Sequence, residues 1–316
     1  MLDDEARRAL SRWTVGEPNA IREYAHGAIN QTWLIETARG SYAFRRCAQG
    51  GAEVVRQNHR LIGEAVARGV PTVAPVVVED GNTVVVESGR VYALFPFAAG
   101  VQVDRDRLSN NDIQAMGRSL ADVLEALRGC DRSLVKEGRY EVCVSEAIRE
   151  IDRLLSVISE LPPGEPSDEN ALERLTTRRA WLVEHGVEDG DPFADFDRQP
   201  IHGEFQDRNL FLGDGKVSCI IDWDNASWSP PEWEVAPFLD FVAAYDKVKV
   251  AAFLAGYRAR CKLPDERLDA CVWAYGLYRA HDLWLFREVY DRRNDKARRF
   301  LTPGRFKPHF ERWLRR

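Results

Sequence analysis

No apolar run in the 316 residues is long enough to cross a bilayer. The N-terminus, MLDDEARRAL, is too charged to serve as a signal peptide. These two absences argue against a membrane partner and make a cytoplasmic location the expectation. Paired cysteines are also missing. Cys47, Cys130, Cys143, Cys219, Cys261 and Cys271 scatter among apolar neighbours without a CxxC spacing. They read as buried, reduced thiols, not as a disulfide frame or a zinc site. A basic excess is lacking too: 44 Lys and Arg stand against 50 Asp and Glu, a formal net charge of −6. That argues against a nucleic-acid partner. The exception is the last stretch, DRRNDKARRFLTPGRFKPHFERWLRR, read first as a solvated helical tail and second as a phosphate or partner contact. No internal repeat is present.

What is there is an ordinary globular composition, 45% apolar and 30% charged, in a chain long enough for two lobes, as a monomer or a homodimer. TWLIETARGSYAFRRC reads as a hairpin about Ala38-Arg39-Gly40. VRQNHRLIGEAVARG reads as a helix with Val55, His59, Ile62 and Val66 on one stripe, stopped by Gly69. VAPVVVEDGNTVVVESGRVYALFPF predicts further strands with a turn at Asp80-Gly81-Asn82. The order is a small antiparallel sheet with one helix packed on it. After Phe95-Pro96-Phe97-Ala98-Ala99-Gly100 the apolar period changes from two to 3.6. SNNDIQAMGRSLADVLEALRG, YEVCVSEAIREIDRLLSVISEL and NALERLTTRRAWLVEHG follow as helices, the first with Ser109 among its capping candidates. LPPGEPSDEN reads as a loop between the last two. FLGDGKVSCIID reads as a hairpin turning at Gly-Asp-Gly, with helices beyond. The class is α+β, with a lobe over residues 1–97, a mainly helical lobe over 98–316, and a cleft between lobes as the usual ligand site.

The chemistry is concentrated in HGEFQDRNLF, residues 202–211, and IIDWD, ending at Asp224. Phosphoryl transfer needs a divalent ion on the phosphates, groups that hold it, and a carboxylate that orients the acceptor hydroxyl and takes its proton. Asn and Asp supply the hard oxygens that Mg²⁺ prefers. Asn209 follows Glu204 by five positions, and the hairpin returns Asp222 beside it.

His202-Gly203-Glu204-Phe205-Gln206-Asp207-Arg208-Asn209 resembles the H-G-D-x-x-x-x-N loop of the aminoglycoside phosphotransferase and choline kinase-like family, and Ile221-Asp222-Trp223-Asp224 resembles its I-D-W-[DE] segment. The resemblance covers nearly the whole chain. It implies a two-lobed protein-kinase-like fold and transfer of phosphate from ATP or GTP, with Mg²⁺, to a small-molecule hydroxyl. Carried over, Glu204 takes the place of the base, with Asp207 as its rival, a loop or substrate contact. Asn209 and Asp222 take the metal-ligand places. His202 is counted among the nucleotide-binding residues, ordering the loop and not carrying a proton, and Asp224 braces the loop or meets a second metal through water. Gly27 and Asn30, in AHGAIN, fall where the family covers the phosphates. Phe95 and Phe97 match the hinge, and because Pro96 has no N–H the adenine donor is expected at Phe97.

The chain departs from the family at three places. Glu204 stands where the family has Asp, Arg45 where it has a phosphate-binding lysine, and Asn58 where it has that lysine's helix glutamate. An arginine still holds phosphate, bidentately, but Asn58 cannot form the ion pair. Glu234 is expected as a helix-start carboxylate. His281, Asp282, Trp284 and Glu288 are expected mostly in the core. The leading function is a Mg-dependent kinase of an aminoglycoside, aminocyclitol or amino sugar, a cationic acceptor suiting the acidic balance, in resistance or biosynthesis. Homoserine, choline or another small alcohol or sugar is the alternative. The departures motivate a further one, a nucleotide-binding pseudokinase, and the tail motivates a partner-binding domain.

Overall fold

A computed structural model describes residues 2–24, 30–48, 50–162, 164–186 and 189–314. In chain order the elements are α1 (Asp4–Leu10), β1 (Pro18–Tyr24), β2 (Gln31–Thr37), β3 (Gly40–Cys47), α2 (Gly51–Ala67), β4 (Val84–Glu87), β5 (Arg90–Pro96), α3 (Asn110–Leu127), β6 (Lys136–Glu137), α4 (Val144–Ser159) and α5 (Pro166–His185). There follow β7 (Gln199–Ile201), β8 (Leu210–Gly213), β9 (Lys216–Ile220), β10 (Ser227–Ser229), α6 (Glu232–Phe241), α7 (Lys247–Arg258), α8 (Asp265–His281), α9 (Trp284–Tyr290) and α10 (His309–Leu314). No helix among the described residues is long and apolar enough to cross a membrane.

The chain divides into two compact units. The first joins residues 1–138 to 197–262, and the second joins 139–196 to 263–316. In the first unit, five antiparallel strands run in the order β1-β2-β3-β5-β4. Alternation along β3 sends Phe44 to one face and Arg45 and Cys47 to the other. Phe44 packs with Trp33, Ile35, Tyr92 and Leu94 under Ala6, Leu10 and Trp13 from α1 and the turn after it. On the opposite face Cys47 packs with Ala52 and Val55 of α2. The sheet is therefore covered on both faces, and Arg45 emerges on the α2 side.

The hairpin about Ala38-Arg39 and the stop at Gly69 form as expected. So does the cap of α3, where Ser109 and Asp112 close a reciprocal capping box. Several expectations need correction. The run before Asp80-Gly81-Asn82 is not a sheet strand: its N–H groups go partly to other partners, Val76 N–H to Leu94 O at 2.7 Å. The β4–β5 turn is Ser88-Gly89, with positive φ at both residues. Val66 is 40% exposed, while Leu61 and Ala65 are fully buried in its stead. LPPGEPSDEN is only half a loop, because Pro166 starts α5, where a proline's missing N–H costs nothing. Elements α1 and β1 were not expected from the sequence. Of the six thiols, Cys130, Cys219 and Cys271 are buried, whereas Cys47, Cys143 and Cys261 are half-buried; all are free.

In the first unit the hairpin β8–β9 turns through Asp214 and Gly215, both at positive φ, the two-residue geometry that suits twisted strands. Strand β7 pairs with β10, which also pairs with β6. The second unit has its own core, in which Ile151 and Leu154 of α4 and Leu175 and Leu182 of α5 meet Phe286 and Val289 of α9. Its C-terminal stretch is not simply solvated: Leu301 and Trp313 are buried. Glu288 is buried and accepts from Asn294 Nδ2 at 3.0 Å, and Asp282 caps Trp284 N–H at 2.9 Å, so these acids serve the local fold.

Candidate active site

The segment 202–209 joins β7 to β8 and is fixed from beneath by two fully buried side chains. His202 Nε2 donates to Ile221 O at 3.0 Å, and its Nδ1 accepts the N–H of Glu204 at 3.2 Å. Both bonds require one neutral tautomer. Burial pushes the imidazole down to about 4, which keeps it neutral. With both nitrogens taken, His202 orders the loop and presents nothing to a nucleotide. Glu234, near the start of α6, accepts the N–H of Gly203 at 2.5 Å and of Phe205 at 3.1 Å. Asn209 Nδ2 donates to Glu204 O at 2.9 Å, closing the loop on itself. Sequence reasoning found Glu234 only as a helix-start acid; its hold on the loop lies 29 to 31 positions away in sequence.

Burial pushes the Glu234 carboxyl from 4.5 up to about 7, against the backbone hydrogen bonds it receives. The folded protein therefore binds a proton that the unfolded chain has released, and this contribution to stability falls as pH rises from 4.5 to 7. His202 runs the other way. Lowered from 6.5 to about 4, it adds stability as pH rises from 4 to 6.5. Glu234→Gln removes the first effect alone. Its melting temperature should be lower overall, and should climb more steeply between about pH 4.5 and 6.5 than in the parent. Parallel melting curves for the two proteins across that range would exclude the linkage.

Gly203 has φ +86°, and a Cβ there would stand 2.0 Å from Asn225 O. The strained backbone and the overlap cost about 1–3 kcal/mol each. Gly203→Ala should thus lose stability and turnover together. A variant that melts and turns over like the parent would contradict this packing.

On this frame sit the candidate reactive groups. Glu204 is partly buried, and its carboxylate receives Gln206 Nε2 on Oε1 at 2.5 Å and Asn225 Nδ2 on Oε2 at 2.8 Å. Burial first, then the charge of Asp222, raises its pKa above the ordinary glutamate value, the direction that suits a base. Asp207, the rival base, is buried and paired with Arg105 Nη2 at 2.9 Å. That ion pair joins the loop to Arg105 and engages one oxygen of the rival carboxylate. Asp222 adopts the left-handed conformation, φ 67° and ψ 66°, which aspartate tolerates better than most residues.

Arg45 reaches Asp222 Oδ1 at 3.0 Å and Asp224 Oδ2 at 2.5 Å through one nitrogen, Nη2. Asn30 Nδ2 donates to the same Asp224 oxygen at 2.9 Å, and Asn30 Oδ1 accepts from Ala48 N–H at 2.9 Å. Burial opposes the Arg45 charge, and Asp224 and Asp222 outweigh it, so the guanidinium stays protonated. The arginine is therefore held by the site's own acids, without an ion pair to Asn58. Gly27 lies outside the described residues. At the hinge, the N–H of Phe97 donates to Ser41 O at 2.9 Å. Sheet pairing thus continues one residue past Pro96 and takes the N–H expected to serve adenine. Phe95 meets His59 edge to face at 5.4 Å, and Phe97, half exposed, meets Phe211 at 6.4 Å. Sequence reasoning missed Asn225, Gln206 and Lys136, whose Nζ donates to Asp224 O at 3.1 Å. No residue-type signal marks them.

The donors fit a hard cation. Arg45 occupies one oxygen of Asp222, and Asn209 spends its amide N–H on Glu204 O, which leaves Asp222 Oδ2 and Asn209 Oδ1 as candidate ligands. Among the described residues no cluster of three His, Cys, Asp or Glu forms a cage. A cation there would be shared with phosphate oxygens, the usual arrangement for Mg²⁺.

The five-stranded antiparallel sheet followed by a mostly helical remainder is the architecture of a protein-kinase-like fold. Residues 20–268 match the model of the APH phosphotransferase enzyme family, and the chain belongs to that family. It is a small-molecule phosphotransferase with a protein-kinase-like fold. A homoserine kinase of Brucella anthropi is 26% identical over 287 residues, 83% of this chain and 76% of that protein. A spectinomycin phosphotransferase solved with ADP and spectinomycin superposes with a TM-score of 0.68 at 13% identity, over 95% of this chain and 93% of that one. A microcompartment-associated aminopropanol kinase gives 0.61 at 19%, over 94% and 93%. At these identities the structural likeness is one of fold.

Proposed function

We propose that the protein transfers the γ-phosphate of ATP or GTP, with Mg²⁺, to the hydroxyl of a small amino alcohol. The observation that carries this reading is that the bonded pair Glu204–Asn209 and the bonded pair Arg45–Asp222 are tied together by Ile221 N–H on Asn209 O and Asn225 Nδ2 on Glu204 Oε2. Glu204 orients the acceptor hydroxyl and takes its proton as the new P–O bond forms and the bond to the nucleoside diphosphate breaks. Arg45 lies on the phosphates once it exchanges part of its hold on the acids for them. Asn209 and Asp222 would hold the cation, which when bound neutralises the developing phosphate charge. Residues 1–97 form the nucleotide side, and a cytoplasmic location suits a substrate of this kind.

Relatives named as homoserine kinases, at 24–26% identity, favour a small hydroxylated amino acid or amino alcohol as acceptor. The net charge of −6 and the spectinomycin phosphotransferase neighbour support a second reading, an aminocyclitol, aminoglycoside or amino sugar. One experiment separates them: ADP and GDP release with Mg²⁺ across homoserine, aminopropanol, choline, aminocyclitols, aminoglycosides and simple sugars. Release above the acceptor-free rate with homoserine or aminopropanol supports the first reading, and with a ring amine the second. Nucleotide binding without release from any of them overturns both in favour of a pseudokinase.

A further inference from the structure

Glu204 is one methylene longer than the aspartate of the loop it resembles, and that methylene adds a torsion. An unrestrained longer carboxylate would move by more than an ångström, enough to misalign an acceptor. The structure restrains it. Gln206 Nε2 lies 2.5 Å from Oε1 and Asn225 Nδ2 lies 2.8 Å from Oε2, so each oxygen receives one amide donor. An ionised carboxylate oxygen has two acceptor sites. Each oxygen therefore keeps one site for a hydroxyl. Both donors are neutral, which distinguishes Glu204 from Asp207, whose carboxylate is committed to the Arg105 guanidinium.

The two donors come from different segments. Gln206 belongs to the same loop as Glu204. Asn225 follows Asp224, the residue bonded by Arg45 and Asn30, and its carbonyl packs directly against Gly203. Asn225 thereby ties the direction of the Glu204 carboxylate to the turn that carries Asp222 and Asp224. Resting on the proposed role of Glu204 as base, we infer that Asn225, assisted by Gln206, is a positioning residue that aims the longer glutamate at the acceptor hydroxyl.

The test is steady-state release of the nucleoside diphosphate from Mg·ATP or Mg·GTP in the full chain, with the acceptor of the panel above, homoserine first, that gives release, and with water alone. Asn225→Ala should lower kcat about tenfold to a hundredfold, the loss expected of an ångström-scale misalignment, and leave the KM for the nucleotide unchanged. Gln206→Ala should lower kcat less. In a Glu204→Gln background, Asn225→Ala should cost nothing further, since residues that act as a unit are not additive. Should Asn225→Ala fail to fold, Asn225→Leu, which keeps about the size and removes the donor without adding a charge, replaces it. Parent-like kcat in both the Asn225 and Gln206 variants, while Glu204→Gln is slow, overturns the positioning role and leaves the base intact. An equal fractional loss in the Glu204→Gln background makes Asn225 merely structural and also overturns it. Parent-like turnover in Glu204→Gln itself, or no release from the parent, removes the base and the positioning role together.

Discussion

Glu204→Gln should lower kcat by about 10²- to 10⁴-fold, the usual contribution of a positioned general base, with nucleotide affinity kept. Glutamine preserves the side chain's length and the loop contacts made by its backbone, including Asn209 Nδ2 to Glu204 O at 2.9 Å. It cannot take a proton at neutral pH. The loss should therefore fall on the chemical step, measured as single-turnover phosphate transfer at saturating nucleotide. The environment supports this reading. Burial and the neighbouring Asp222 raise the Glu204 pKa, while the charge of Asp207 is committed to Arg105. If Glu204→Gln turned over as the parent does, the base would have to be sought elsewhere.

Asp222→Asn should act at an earlier stage. In the proposed reading its carboxylate holds the cation, and it also receives Arg45 at 3.0 Å. Replacing it removes a charge from the metal's side and half of the anchor of Arg45, so Mg-nucleotide binding itself should weaken. The clean readout is melting temperature with Mg·ADP compared with ADP alone. A ligand at a hundred times its Kd stabilises the native state by about 2.7 kcal/mol. The parent should show the Mg-dependent part of that shift and Asp222→Asn should lose most of it. An unchanged Mg-dependent shift would sink the metal assignment. Together the two variants separate binding from chemistry, because one leaves nucleotide bound and inert while the other fails to retain it.

The sheet and the helices were legible where local signals agree. The β2–β3 hairpin, the Ser109 cap and the β8–β9 turn each depend on a few adjacent residues whose conformational preferences point the same way. Element β1, PNAIREY, was missed because its burial shows no regular alternation: it is an edge strand, paired only with β2. The valines before Asp80 were misread for the opposite reason. They are apolar enough for a strand but pack as an irregular segment, with Val78 in the core beside Trp13 and Val85.

The candidate site divides in the same way. The sequence by itself determined the loop and the turn, since phosphoryl transfer needs a carboxylate, an amide and an aspartate at short spacings, and residues 202–209 and 221–224 supply them. Only the tertiary structure decided what those groups hold. Arg45 reaches Asp222 across 177 positions, Asp207 meets Arg105 across 102, and Asn225 reaches Glu204 across 21. The Phe97 N–H was lost to Ser41 by sheet register. Spacing along a chain specifies which chemical groups are available locally. Partners far apart in sequence meet only when packing brings their elements together, and that choice is made by the whole fold at once.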